Sequence, residues 1–323
     1  MIEREYNFNP FPLFRGRHEQ TIFGSMLNFH PEPKSRSLYV PFDDGDTMVL
    51  KVSTPKGWKR GDPIVMLVHG LAGSDRSVYL IRMTRKLMKR GIKTVRVNLR
   101  GCGSGKDLAR YMFPHFSDKD LRRAARVLKN ASPESSLQLV GFSLGGNYAL
   151  KAAGKSSRSG EKLFDQVIAV SPPVFVETSS HLLSKPENRI YLRYFSKLLR
   201  SEAKTRMKFS KNISAERIPD GLTMYEFDDF FTAPHLGLSS AAEYYARSSS
   251  KNYIGLAKMP VKILFSLDDP IIDAHALDDL NLPDHIEVHK AKKGGHMGFL
   301  GTPWSPQGFR WMDNLLLKWL ANK

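Results

Sequence analysis

Three short stretches of this chain carry side chains that together could attack a carbonyl carbon. Gly141-Phe142-Ser143-Leu144-Gly145 sets a serine hydroxyl between two glycines, Lys293–Phe299 holds His296 in a glycine-rich loop, and Ser266-Leu267-Asp268-Asp269-Pro270 offers two carboxylates. Serine is a poor nucleophile at its free pKa, so it needs a base, and the base needs an acid to orient it. Taken alone, a G-x-S-x-G pattern is an ordinary turn. Its flanks give it meaning here. Leu137–Val140 predicts a short buried strand and Gly146–Ala153 a helix, so Ser143 falls on a sharp strand-to-helix turn that exposes its hydroxyl above a sheet. The glycines permit the tight backbone, and the helix N-terminus favours the negative charge that acyl transfer develops.

The elements that must position these groups follow a regular rhythm from residue 63 onward. Short apolar runs at Ile64–Val68, Thr94–Asn98, Leu137–Val140, Val167–Val170, Val261–Phe265 and Ile286–Val288 alternate with helical patterns at Ser77–Arg90, about Asp118–Lys129, after Ser143 and about Pro306–Leu320. This alternation predicts an α/β fold, a mostly parallel central sheet with helices on both faces. Ser37–Phe42 and Thr47–Val52 flank the turn Asp43-Asp44-Gly45-Asp46 and read as an antiparallel hairpin at one edge. The rhythm breaks over about 174–252, a helical, polar stretch too short for a comfortable separate domain. It reads as a lid or cap inserted into a single domain spanning 1–323. No internal repeat or low-complexity tract is present.

In such a sheet, catalytic groups gather on loops at the carboxyl ends of the strands. Of the ten histidines, His275, His285, His289 and His296 follow the strand at 261–265. His289 lies in a period-2 strand pattern, His275 reads as helical and His285 precedes its strand. His296 alone sits in a glycine-rich loop just past a strand, the place for a base. Either Asp268 or Asp269 falls at a strand end; the Asp-Pro turn favours Asp269 as the acid. The order Ser…Asp…His is that of α/β-hydrolases and differs from chymotrypsin and subtilisin. The oxyanion would then be held by the backbone N–H groups of Leu71, in His69-Gly70-Leu71-Ala72-Gly73, and Leu144. His69 is expected to brace its turn. Asp43, Asp44 and Asp46 lack the remaining ligands of a calcium loop. Asn98–Gly105 has neither a dinucleotide nor a Walker frame and reads as a loop shaping the pocket wall, with Cys102 in it too isolated to be a catalytic thiol. No metal site is expected.

Composition narrows the classes further. The chain has 323 residues, 41% hydrophobic and 25% charged, within the range of globular domains. No window approaches the run of about 18 apolar residues that a membrane span needs. The charged start shows no secretory h-region, and the single cysteine fits a reducing compartment, so the expected location is cytoplasmic. Lys+Arg 49 against Asp+Glu 32 gives +17, a surplus that attracts anions. No nucleic-acid-binding signature accompanies it, so nucleic acid is not expected as a partner.

Several blocks resemble the YheT-like family of the α/β-hydrolases, a family of predicted esterases, almost from end to end. They are Arg15–Ile22 (with Arg17 where proline is usual), His69–Ser74, Asn98–Gly101, Gly141–Asn147, Phe227-Asp228-Asp229 with Thr232-Ala233-Pro234, and Gly294–Gly298. The resemblance implies a Ser143–Asp269–His296 triad, hydrolysis of small-molecule carboxylic esters and no cofactor. The same residues would serve an acyltransferase or lipase-like enzyme on lipid esters. A non-catalytic binder of anionic lipid on this fold is the reading from another class. One feature stands apart from the family pattern. Arg189, Arg193, Lys197, Arg200 and Lys204 recur at helical spacing on one face, and residues 185–211 hold nine basic and two acidic residues. This helix either presents a solvated face with its apolar side packed on the core, or makes peripheral contact with anionic lipid or receives an anionic acyl substrate.

Overall fold

In the computed structural model, which describes residues 1–27, 30–110, 117–206 and 218–321, the apolar runs form one nine-stranded sheet. Its strands are β1 (Ile2–Tyr6), β2 (Arg36–Pro41), β3 (Thr47–Ser53), β4 (Ile64–Val68), β5 (Lys93–Val97), β6 (Leu137–Phe142), β7 (Gln166–Val170), β8 (Val261–Ser266) and β9 (Ile286–Ala291). The order is β1-β9-β8-β7-β6-β4-β5-β3-β2. Every pairing from β1 through to β5 is parallel; β3 joins β5, and β2 joins β3, antiparallel. The expected edge hairpin is therefore β2–β3.

The described helices are α1 (Arg17–Met26), α2 (Val78–Met88), α3 (Ser117–Ala131), α4 (Leu144–Arg158), α5 (Val176–Leu183), α6 (Arg189–Arg206), α7 (Met224–Phe227), α8 (Ala233–His235), α9 (Ala241–Ser248), α10 (Lys251–Ile254) and α11 (Trp311–Ala321). A π-helical turn, Asp228–Thr232, joins α7 to α8. All five residues of β4 are buried, as a strand covered on both faces requires. Ile64, Met66 and Val68 meet the side covered by α3 and α4, with Ala124, Leu128 and Ala149. Val65 and Leu67 meet α2 and α11 on the other side, with Leu80, Met83 and Leu316. Burying each such side chain stabilises the fold by about 1.5–3 kcal/mol before chain entropy is charged against it.

Two elements were not legible. Strand β1 pairs in parallel with β9 at the sheet edge. Its sequence, Ile-Glu-Arg-Glu-Tyr, is largely exposed and lacks the apolar alternation that marks a half-buried strand. Helix α1 is not predicted by apolar periodicity, since the face it buries is Gln20, Thr21 and Gly24 rather than large apolar side chains. The last helix starts at Trp311 rather than near Pro306, because the chain turns through Gly308 at φ 63° first. Between β7 and β8 the chain forms α5–α10; residues 207–217 lie outside the described residues.

Candidate active site

Ser143 sits between β6 and α4 at φ 51°, ψ −125°, left-handed backbone that a side chain adopts only under constraint. The constraint comes from both sides. Its N–H donates to the Val170 carbonyl at 2.8 Å, and its carbonyl accepts from the N–H groups of Gly146 and Asn147 at 2.7 and 3.1 Å. A Cβ at Gly141 would collide with the Gly145 carbonyl, and one at Gly145 with the carbonyls of His69 and Val68. The two glycines of the pattern are therefore needed for close approach of strand, helix and the β4 loop.

The His296 imidazole, one-tenth exposed, lies between Ser143 and Asp269. Nε2 is 2.9 Å from Ser143 Oγ, and Nδ1 is 2.9 Å from Asp269 Oδ2. Only one tautomer serves both contacts in the neutral ring: Nδ1–H donates to the carboxylate and Nε2 accepts from the serine hydroxyl. Asp269, 1% exposed, is itself held, since its Oδ1 accepts from the N–H groups of Ile271 and Ile272 at 2.9 and 3.0 Å. Asp268 points elsewhere. Its Oδ1 accepts from Ser266 Oγ at 2.6 Å and from the Gly295 N–H at 2.9 Å, tying the β8 turn to the histidine loop.

The loop after β4 closes over the serine. A Cβ on Gly70 would stand 3.0 Å from Ser143 Cβ, and the Gly70 N–H donates to Tyr79 Oη at 3.0 Å. Leu71 and Leu144 line the same cavity as Ser143 and His296. Leu144 opens α4, so its N–H has no carbonyl within the helix, and neither amide donates to a loop or turn carbonyl among the described residues. His69 is fully buried and both ring nitrogens are engaged, Nδ1 with the Gly70 carbonyl at 2.8 Å and Nε2 with the Leu99 N–H at 3.2 Å. Burial pushes its pKa down to about 4, so it stays neutral and braces the turn.

The histidine loop is gripped by α1, a contribution the sequence did not disclose. Thr21 Oγ1 donates to the Arg17 carbonyl at 2.7 Å and accepts from the His296 N–H at 2.9 Å. Buried Gln20 donates from Nε2 to the Phe14 and Leu300 carbonyls and accepts the Leu300 N–H on Oε1 at 2.7 Å. Gly24 packs on Gly298 so closely that a Cβ would come within 2.5 Å of its Cα. Gln20, Thr21 and Gly24 thus form one face of α1, and that i, i+1, i+4 spacing was the available signal. His18 Nδ1 is 2.9 Å from Tyr191 Oη, which links α1 to α6.

The cavity above Ser143 is mostly apolar, with Val176, Leu183, Phe195, Phe227, Phe231 and Ile271 among its walls. Its acidic residue among the lining side chains is Asp228, from the Phe-Asp-Asp block. The Asp228 carboxylate accepts from Thr232 Oγ1 at 2.6 Å and Tyr245 Oη at 2.7 Å, and burial pushes its pKa up to about 6. Asp229 caps α9 by accepting the Ala241 N–H at 2.7 Å.

Other singled-out residues lie away from this cavity. Asn98–Gly105 does not line it, which corrects the expectation of a pocket wall. Arg100 instead pairs with Asp120 at 2.7 and 2.9 Å and with Asp44 at 2.5 Å, while Asn98 Oδ1 accepts the Asp75 N–H at 2.9 Å. The block is a structural staple, and Asp44 and Asp46 of the β2–β3 turn are counter-ions of Arg100, whereas Asp43 faces Arg123 at 3.5 Å. Cys102 is buried in the core with Sγ 3.6 Å from the Arg100 carbonyl. His275 pairs with Asp278, His285 lies 2.6 Å from the Ala257 carbonyl, and His289 is buried between Tyr6 and Trp319. Among the described residues no group of three or more His, Cys, Asp or Glu is arranged to hold a metal ion.

Residues 63–303 match the model of the alpha/beta hydrolase fold. Over 97% of this chain and 93% of the other, the sequence is 27% identical to "Putative esterase YheT" of Escherichia coli (strain K12). It is 24% identical to "Monoacylglycerol lipase ABHD2" of Danio rerio, over 95% of this chain and 78% of that one. Among solved structures, the Pyrococcus furiosus esterase Pf2001 superposes with a TM-score of 0.58 at 15% identity, covering 90% of this chain and 97% of that one, a likeness of fold.

Proposed function

Since the chain belongs to the α/β-hydrolase fold family, with its likeness to the YheT-like branch, we propose that it is a serine hydrolase of the carboxylesterase type. One observation carries the reading: Ser143, His296 and Asp269 form a continuous hydrogen-bonded chain that opens on an apolar cavity. Ser143 Oγ attacks the ester carbonyl while His296 Nε2 takes its proton. Asp269 holds the ring and stabilises the imidazolium. The amides of Leu71 and Leu144 donate to the oxyanion of the tetrahedral intermediate. His296 then gives the proton to the leaving alkoxide, and water repeats the sequence on the acyl-enzyme. No step needs a cofactor. The apolar walls suit a short- to medium-chain acyl group, and the insertion 174–252, as a lid, supplies most of them.

The test is a series of p-nitrophenyl esters together with labelling by a fluorophosphonate probe. The expected result is hydrolysis favouring short to medium acyl chains, label on Ser143, and a loss of roughly 10⁴–10⁶-fold in kcat for a folded Ser143→Ala variant. Undiminished activity in that variant, or a wild-type protein that neither reacts nor labels, refutes the reading; the latter favours a binding protein on this fold.

A further inference from the structure

Helix α6 has two faces with different neighbours. Tyr191, Leu199 and Ala203 are buried, and Phe195 and Leu199 belong to the cavity wall. The outward face carries Arg189, Arg193, Lys197, Arg200 and Lys204, which border an open groove closed on its far side by 220–222. Among the described residues, Arg200 has an acidic partner, Asp220 at 2.8 Å, and the other four have none. Glu202, on the same helix, pairs with Lys106 at 2.8 Å. Beside them on the exposed side stand Ile190 and Tyr194, 58% and 61% exposed.

We propose that this face of α6 is a docking surface for bilayers containing anionic phospholipid. The cations would lie among headgroup phosphates, and Ile190 and Tyr194 would enter the boundary between headgroups and acyl chains. A phosphate-only site has no use for two large apolar side chains left in water next to it, and a nucleic-acid groove has none for Ile190. The formal charge of +17 adds a long-range attraction to the same surface. Docking there seats one wall of the cavity against the membrane. The docking rests on α6 alone; any gain in access to lipid esters rests also on the hydrolase reading.

Sedimentation of the full chain with phosphatidylcholine vesicles and with phosphatidylcholine–phosphatidylglycerol vesicles tests the proposal. Partitioning to the anionic vesicles alone is expected, weakened by salt and reduced at least about tenfold in an Arg193→Gln/Lys197→Gln/Lys204→Gln variant. That variant should hydrolyse a water-soluble short ester at the wild-type rate, which shows that it is folded. An Ile190→Ser/Tyr194→Ser variant should partition more weakly at the same salt. Ser143→Ala should partition like wild type, so the docking result stands apart from the fate of the hydrolase reading. Absent or equal binding to the two vesicle types overturns the proposal, as does full binding by either surface variant. Displacement by inorganic phosphate would reassign the groove to a soluble anion, and tighter binding to duplex DNA would reassign it to nucleic acid; both also overturn it.

Discussion

Asp268 and Asp269 are neighbours in sequence, yet the turn after β8 sends their carboxylates to different tasks. Asp269 meets the imidazole of His296, and Asp268 accepts the backbone N–H of Gly295 in the same loop. Asp269→Asn should lower kcat by about 10⁴-fold with little change in stability, because an amide facing Nδ1 favours the wrong tautomer. Asp268→Asn keeps an acceptor for the Gly295 N–H and should cost about tenfold or less; steady-state kinetics on one soluble ester separates the two, and a reversed order overturns the assignment. Ser143 and His296 were legible because each lies in a glycine pattern next to a strand. The choice of acid was harder, since two adjacent carboxylates differ only in which way the chain turns. His69 gives a second prediction at this scale. Its folded pKa is depressed to about 4 against about 6.5 in an unfolded chain, so its contribution is present above pH 6.5 and is lost as pH falls towards 4. The loss approaches about 3 kcal/mol. Urea titrations should show the stability gap between wild type and His69→Asn narrowing over that window; a constant gap would count against it.

At the scale of elements, α1 matters most and was read least. The Gln20–Thr21 pair was visible as part of a family block, but what it holds is a loop more than 270 residues away in sequence. No local periodicity carries that information. Gly24→Ala tests the grip, because the added Cβ would press on Gly298 Cα. The variant should be destabilised by roughly 1–3 kcal/mol and should lose kcat more than it raises KM, since the displaced part is the histidine loop and not the cavity wall. Thermal unfolding and steady-state kinetics read both effects; an unchanged kcat would mean that α1 merely packs. The core strands were legible for the opposite reason. Their apolar runs are dictated by burial on two faces, which is a local demand on sequence.

For the whole molecule, both edges of the sheet are formed by the first two strands of the sequence: β2 is a hairpin partner of β3, whereas β1 pairs with β9. Tyr6 stacks on His289 and meets Trp311 edge-on, so the edge is tied to α11 as well. Deleting residues 1–6 removes this cover from β9 and should lower the unfolding temperature while promoting association through the bared edge. Calorimetry and light scattering would show it; an equally stable, monodisperse product would contradict it. The charge surplus was plain in the composition, but its concentration beside exposed Ile190 and Tyr194 required the fold. The grip of α1 on the histidine loop also has a consequence for how the protein is made. On the ribosome, α1 and Ser143 emerge long before Asp269 and His296, and the bonds from Gln20 and Thr21 wait for almost the entire sequence. Under the proposed mechanism Ser143 lacks its base until His296 has been made, so a nascent chain that ends before residue 296 is expected to hydrolyse no ester.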